Sequence, residues 1–260
     1  MRPILFYVHK VPVFSYGFMI AIAFIAGTIL GVREARRRGI EPEKVIDLAL
    51  CLCISGIIGA RLLYILLDLP AYWGEPLEVL RFKDGGLSFH GGLFAAILAG
   101  IWFCKRSGVN PWVMADVAAA PVALGYSIAR IGCFLNGCCY GVASNIPWAI
   151  ACAAGDATRR HPTQLYAALG SLVIFAILMS LRGHRRFPGF LMFLYVGLYS
   201  ILRFVVEVFR DVPRFAGPLS IAQVASVIVG FAAFACIHLL SEEPGRKAGR
   251  TLGDPHSHGR

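Results

Sequence analysis

An all-α, polytopic membrane protein of about seven helices is the fold class this sequence predicts, and three observations predict it. First, 57% of the 260 residues are hydrophobic and only 15% are charged, whereas a soluble domain carries about a quarter charged residues. Second, several apolar runs approach or exceed the span of about 20 residues that crosses a bilayer. Third, lysine and arginine crowd alternate connecting segments, the pattern that sets membrane orientation. The formal charge of +10 therefore reads as a topology signal and an attraction for anionic lipid. No nucleic-acid partner is expected.

The spans fall at 14–32, 45–67, 89–104, 112–131, 164–181, 189–209 and 220–240. The first is too long for a cleavable signal peptide, and no small-residue cleavage site follows it. The third is the shortest, and a tilted or partly re-entrant course fits it. Arg33, Arg36, Arg37, Arg38 and Lys44 mark the first connection, and Lys105 and Arg106 the third. Arg182, Arg185 and Arg186 mark the fifth, and Arg246, Lys247 and Arg250 the tail. These place the N-terminus outside the cytoplasm and the C-terminus inside it, which requires an odd number of spans.

Two outward segments are long. Residues 68–88, with Pro70, Tyr72, Trp73, Gly74 and Pro76, suit an interfacial arm, and 133–163, with Pro147, Trp148 and Asp156, suit a small extracytoplasmic cap. Residues 1–240 then form one membrane domain. The polar 241–260 tail is expected to be disordered, so His256 and His258 read as solvated rather than metal-binding. Cys51, Cys53, Cys104, Cys152 and Cys236 lie in or beside apolar runs, where a thiol packs as a small hydrophobe. No CxxC pairs with a second CxxC or with HxxxH, the spacing that identifies a zinc site. Adjacent Cys138 and Cys139 are too little to assign redox chemistry.

Ionisable groups inside a bilayer are costly and mark function by default. The candidates are Arg61, His90, Asp116, Arg130, Arg203, Glu207 and Arg210. Glu207 follows Arg203 by four residues and precedes Arg210 by three, so all three share a helix face. Both an internal ion-pair ladder and a cationic cradle fit that spacing. His90, bracketed by Gly85-Gly86 and Gly91-Gly92, suits either a helix-start histidine or a tuned base. His161-Pro162-Thr163 opens the fifth span, with Thr163 as the expected N-cap. The stretch from Ala129 to Gly141 packs Arg130, Asn136, three thiols and three glycines directly beneath a span.

These motifs in this order resemble the prolipoprotein diacylglyceryl transferase family. The resemblance runs from Tyr16-Gly17 through Gly85–Leu93, Ala129–Gly141, His161–Tyr166 and Tyr199–Arg210 to Gly217–Gln223. Arg130, Gly132, Phe134, Asn136 and Gly141 match the family signature, as do His90-Gly91-Gly92-Leu93. Ala129 replaces a glycine, Cys133 an asparagine, Cys138 a glutamate and Ala167 another glutamate. The resemblance implies transfer of the diacylglyceryl group of phosphatidylglycerol to the lipobox cysteine of a preprolipoprotein signal peptide, at the bacterial cytoplasmic (inner) membrane. It implies His90, Arg130, Arg203 and Tyr16 as catalytic residues. Asn136, Gly137, Gly141, Glu207, Arg210, Gly91 and Gly92 are the implied substrate-binding group. No metal or organic cofactor is implied. The competing classes are a phospholipid-binding paralogue without transfer, a transporter or anion pathway, and a thiol-redox protein using Cys138 and Cys139.

Overall fold

The structure, a computed structural model, describes residues 2–69, 86–151, 156–184, 186–213 and 219–242. Its elements are β1 (Ile4–Val8), β2 (Val11–Phe14), α1 (Ser15–Arg36), α2 (Pro42–Leu67), α3 (Phe89–Arg106) and α4 (Pro111–Asn136), then β3 (Ile150–Ala151), β4 (Arg159–Arg160), α5 (Thr163–Leu181), α6 (Phe190–Val208) and α7 (Ile221–Glu242). The seven helices fall on the seven expected spans. Six of them are long and apolar enough to cross a membrane, and the chain is a multi-pass membrane protein. The seventh, α3, has 18 residues and carries His90 at one end and Lys105 and Arg106 at the other. Its apolar middle is correspondingly short. Most of the expected arm and nearly all of the expected tail lie outside the described residues.

The sequence reading drew no strands. Residues 4–14 form an antiparallel hairpin in which Phe6 faces Val13 and Val8 faces Val11. His9 and Lys10, both at positive φ, make the two-residue turn whose twist suits a hairpin. The hairpin is tied to α1 by the Ser15 amide, 2.8 Å from the Pro3 carbonyl.

The chain divides into two compact units, Met1–Gly27 with Ala118–Arg260, and Thr28–Val117. In the first unit, α4 and α5 exchange hydrogen bonds: Ser127 Oγ donates to Ala168 O and Ser171 Oγ to Ala123 O, each at 2.8 Å. Buried Ala119, Ala123, Ala167 and Ala168 let the backbones approach, as small residues do between membrane helices. Leu202 of α6 fills the space left by Gly170 of α5, and Phe234 of α7 the space left by Gly197 of α6.

The second unit is organised around Ala35, Val45, Leu48, Cys104, Met114 and Val117. Its α2 and α3 touch backbone to backbone: a Cβ on Gly91 would run into the Gly59 carbonyl, and one on Gly92 would lie 2.9 Å from the Gly56 carbonyl. Asp116 pairs with Arg38 at 3.7 Å, both side chains almost fully buried, and Arg61 donates to the Gly86 carbonyl at 3.2 Å. Two of the candidate ionisable residues thus have structural partners here. Of the thiols expected to pack as hydrophobes, Cys104 is buried, Cys51 and Cys236 are half-buried, and Cys53 is exposed. Cys53 presents its thiol on an apolar helix surface rather than in the core. Cys152 lies outside the described residues.

Candidate active site

The site in the first unit grows from the end of α4. Gly137 and Cys139 both adopt left-handed φ, at 73° and 61°. That reversal turns the chain back beneath the helix, and a non-glycine residue in this conformation costs about 1–2 kcal/mol. Two buried side chains from the start of α5 hold it there. Thr163 Oγ1 donates to the Cys139 carbonyl at 2.8 Å, and Gln164 Nε2 to the Cys138 carbonyl at 2.6 Å. Thr163 was expected to cap α5; it is instead the first helical residue, Pro162 takes the cap position, and the hydroxyl serves the cysteine loop. The Asn136 side chain hydrogen-bonds the Cys138 sulfur.

Gly141 is the crossing point of this loop. Its amide donates to His161 O at 2.9 Å, and the neighbouring Val142 amide donates to Phe209 O at 2.9 Å. A Cβ at Gly141 would collide with the Phe209 carbonyl and lie 2.9 Å from His161 Cβ and Thr163 Cγ2. Only glycine lets the ends of α4, α5 and α6 meet here. Beyond it, the β3–β4 pair and the bridge of Ala143 to Arg160 build a small cap.

The helix-face argument for α6 holds. Glu207 is 2% exposed and receives Arg203 Nη1 at 2.9 Å and Arg210 Nη1 at 3.6 Å on one oxygen. Ser220 Oγ donates to its other oxygen at 3.1 Å, and Ser220 is in turn fixed by Gln223. Ladder and cradle are the same object, because both arginines also line a recess of about 260 Å³, its open mouth included, together with Tyr126, Arg130, Cys139, Thr163, Ala167, Leu202 and Val206. Three guanidinium groups against one carboxylate leave an excess of two positive charges from these groups. Arg130 lies over the Tyr126 ring at 4.8 Å, and Tyr126 meets Tyr199 edge to face at 5.1 Å.

Tyr16, the second residue of α1, lies within electrostatic reach of Arg130, Cys133, Cys138 and Cys139. Gly132 lets α1 pack closely against α4, since a Cβ there would lie 2.9 Å from Met19 Cβ. The Cys139 thiol, past the end of α4, is held well below the ordinary thiol range, first by hydrogen bonding from the Cys133 thiol and then by Cys138, Arg130 and Arg210, against the opposing effect of burial. His90 belongs to the second unit, exposed at the start of α3 with its ring edge-on to Phe89.

Sequence reasoning missed Tyr126, Ser220 and the true role of Thr163. Tyr126 stands one helical turn before Arg130, a spacing that brings side chains together, and was legible. The Ser220 contact joins residues on separate elements and had no local signal.

Fold and site define a multi-pass membrane protein with a cationic recess, suited to a phosphate, beside a cluster of thiols. A family model described as prolipoprotein diacylglyceryl transferase matches residues 3–239. The protein named phosphatidylglycerol–prolipoprotein diacylglyceryl transferase in Clostridioides difficile strain 630 is 35% identical over 228 residues, covering 88% of this chain and 91% of its own. Its namesake in Geobacter sulfurreducens is 37% identical over 219 residues, covering 81% and 84%. The chain belongs to the prolipoprotein diacylglyceryl transferase family.

Proposed function

We infer that the chain carries out the reaction its relatives are named for. It transfers the diacylglyceryl group of phosphatidylglycerol to the thiol of a prolipoprotein cysteine, forming a thioether and releasing glycerol phosphate. The observation that carries this reading is the convergence of Arg130, Arg203 and Arg210 on one recess.

Displacement at a carbon bearing a phosphate ester needs charge stabilisation on the departing phosphate and a thiol converted to thiolate. Guanidinium forks bind phosphate oxygens bidentately, and in a partly dry recess each such donor is worth about 3 kcal/mol in the transition state. Arg130 and Arg203 take that role, with Arg210 completing the cradle and Glu207 fixing both α6 arginines. The polar headgroup meets the guanidinium groups in this reading, and the acyl chains lie among the apolar helix surfaces. Asn136, Gly137 and Gly141 shape the wall where headgroup and peptide backbone come close. We assign His90, with Gly91 and Gly92 beside it, as the base for the thiol proton, and Tyr16 as a hydrogen-bonding group. The enzyme sits in the bacterial cytoplasmic membrane with its N-terminus outside. The alternation of basic connecting segments supports that orientation.

The test is transfer of label from glycerol-labelled phosphatidylglycerol to a lipobox peptide in reconstituted bilayers. Arg130→Ala, Arg203→Ala and His90→Ala should each reduce the rate by about a hundredfold or more. Wild-type rates in all three would remove the assignment.

A further inference from the structure

The recess accounts for the phosphate, but the three thiols at its edge have no part in that chemistry. Cys133, Cys138 and Cys139 bring their sulfur atoms within 4.8 Å of one another. Thiolates around a tetrahedral zinc ion, each about 2.3 Å from the metal, lie about 3.8 Å apart. The cluster therefore needs at most about 1 Å of side-chain adjustment to close on a metal. The backbone is already set for it. The Cys138 amide donates to Cys133 O at 3.1 Å, and Thr163 and Gln164 fix the Cys139 and Cys138 carbonyls from behind. Outer partners of this kind hold metal-bearing loops in register.

We propose that Cys133, Cys138 and Cys139 hold a Zn²⁺ ion whose fourth position takes the substrate thiol. This deepens the function inferred above and rests on it. An all-sulfur donor set selects a thiophilic ion rather than magnesium or calcium. Three protein ligands with one open position is the arrangement of catalytic, not structural, zinc. Three thiolates and Zn²⁺ carry one negative charge in sum. Arg130, in electrostatic contact with Cys133 and Cys139, and Arg210, in contact with Cys139, offset it. Cys139 also lines the arginine recess, so a thiol on the metal lies beside a phosphate on the guanidinium groups.

The step balances without an oxidant or reductant. The incoming thiol binds zinc and gives its proton to the base. The sulfur lone pair forms the S–C bond to the glyceryl carbon, and the C–O bond breaks with its electrons going to the phosphate. Glycerol phosphate leaves, and the thioether, a weaker ligand than thiolate, comes off the metal, which stays Zn²⁺ throughout. A free thiol of pKa about 8.5 is only about 3% ionised at neutral pH, whereas a metal-bound one is fully so; the gain is about thirtyfold.

The full-length protein in nanodiscs, loaded with ZnSO₄ and passed over chelating resin, should retain one zinc per chain by elemental analysis. Cd²⁺ in its place should give the ultraviolet thiolate-to-metal charge-transfer band. The triple Cys133→Ser, Cys138→Ser, Cys139→Ser variant should lose both signals, and Cys236→Ser should keep them. Chelated wild type should lose transfer activity about thirtyfold and regain it with Zn²⁺. A wild-type protein with no cadmium band overturns the proposal whether or not the variants fold, and a disulfide among the three thiols would give that result. Equal metal content in the triple variant also overturns it. Full activity in the chelated, zinc-free protein overturns the zinc role and leaves the transferase reading standing. Zinc held by the three thiols with no transfer to a lipobox peptide sinks the transferase reading and leaves the metal site.

Discussion

Removing only the charge of Glu207 should separate binding from turnover. Its carboxylate is buried and holds Arg203 at 2.9 Å and Arg210 at 3.6 Å. At an effective dielectric of about 20, charges at those separations attract by about 6 and about 5 kcal/mol. Much of that is cancelled by the desolvation of the carboxylate, and breaking such a pair from one side costs a net 3–5 kcal/mol, about. In Glu207→Gln the amide fills the same volume and its oxygen still accepts the Ser220 hydroxyl, so the low end applies, about 3 kcal/mol of stability. The recess meanwhile gains a net positive charge. Affinity for the anionic lipid should hold or rise, while kcat falls about a hundredfold because Arg203 is no longer aimed. Thermal unfolding in nanodiscs reads the first quantity, and a KM-against-kcat separation in the lipobox assay reads the second. A variant that melts with the wild type and keeps its kcat would refute the idea that one carboxylate positions both arginines.

Further outcomes follow from the same geometry. Gly141→Ala forces a methyl group against the Phe209 carbonyl, a backbone atom that cannot rotate away, and should cost about 3 kcal/mol of stability in a denaturation assay. Arg130→Lys keeps the charge but loses the planar fork and the stacking on Tyr126 at 4.8 Å; transfer should fall about a hundredfold with unfolding unchanged. Asp116→Asn removes the negative charge opposite buried Arg38, whose Nη1 still donates to the Val113 carbonyl at 3.2 Å, and should lower stability by about 3 kcal/mol, with turnover per folded molecule intact.

The helices were legible because length and apolarity suffice to identify a span, and each observed helix overlaps its expected one closely. The short third span was also legible, since His90 and the Lys105–Arg106 pair bound it in the sequence itself. The Arg203–Glu207–Arg210 group was readable for the same reason: the helical repeat alone brings those side chains together. The N-terminal hairpin was not read, because its strands have five and four residues and lie outside any long apolar run. The thiol cluster escaped for a different reason. Cys133 belongs to α4 and the other two to the loop beyond, and only the left-handed turn at Gly137 and Cys139 folds them together. No ligand-spacing rule encodes that turn. The pairing of Gly141 with residues 161 and 209 depends on three helix ends meeting, which sequence distance hides.

That meeting has a consequence for how a lipid reaches the enzyme. Main-chain bonds run from Gly141 to His161, from His161 to Val142, from Val142 to Phe209 and from Ser144 to Arg159. Parting the seam between the ends of α4, α5 and α6 would break them together, at about 1 kcal/mol each and more where water is excluded. This flank of the recess is laced shut, so a lipid with two tails is not expected to enter by parting it.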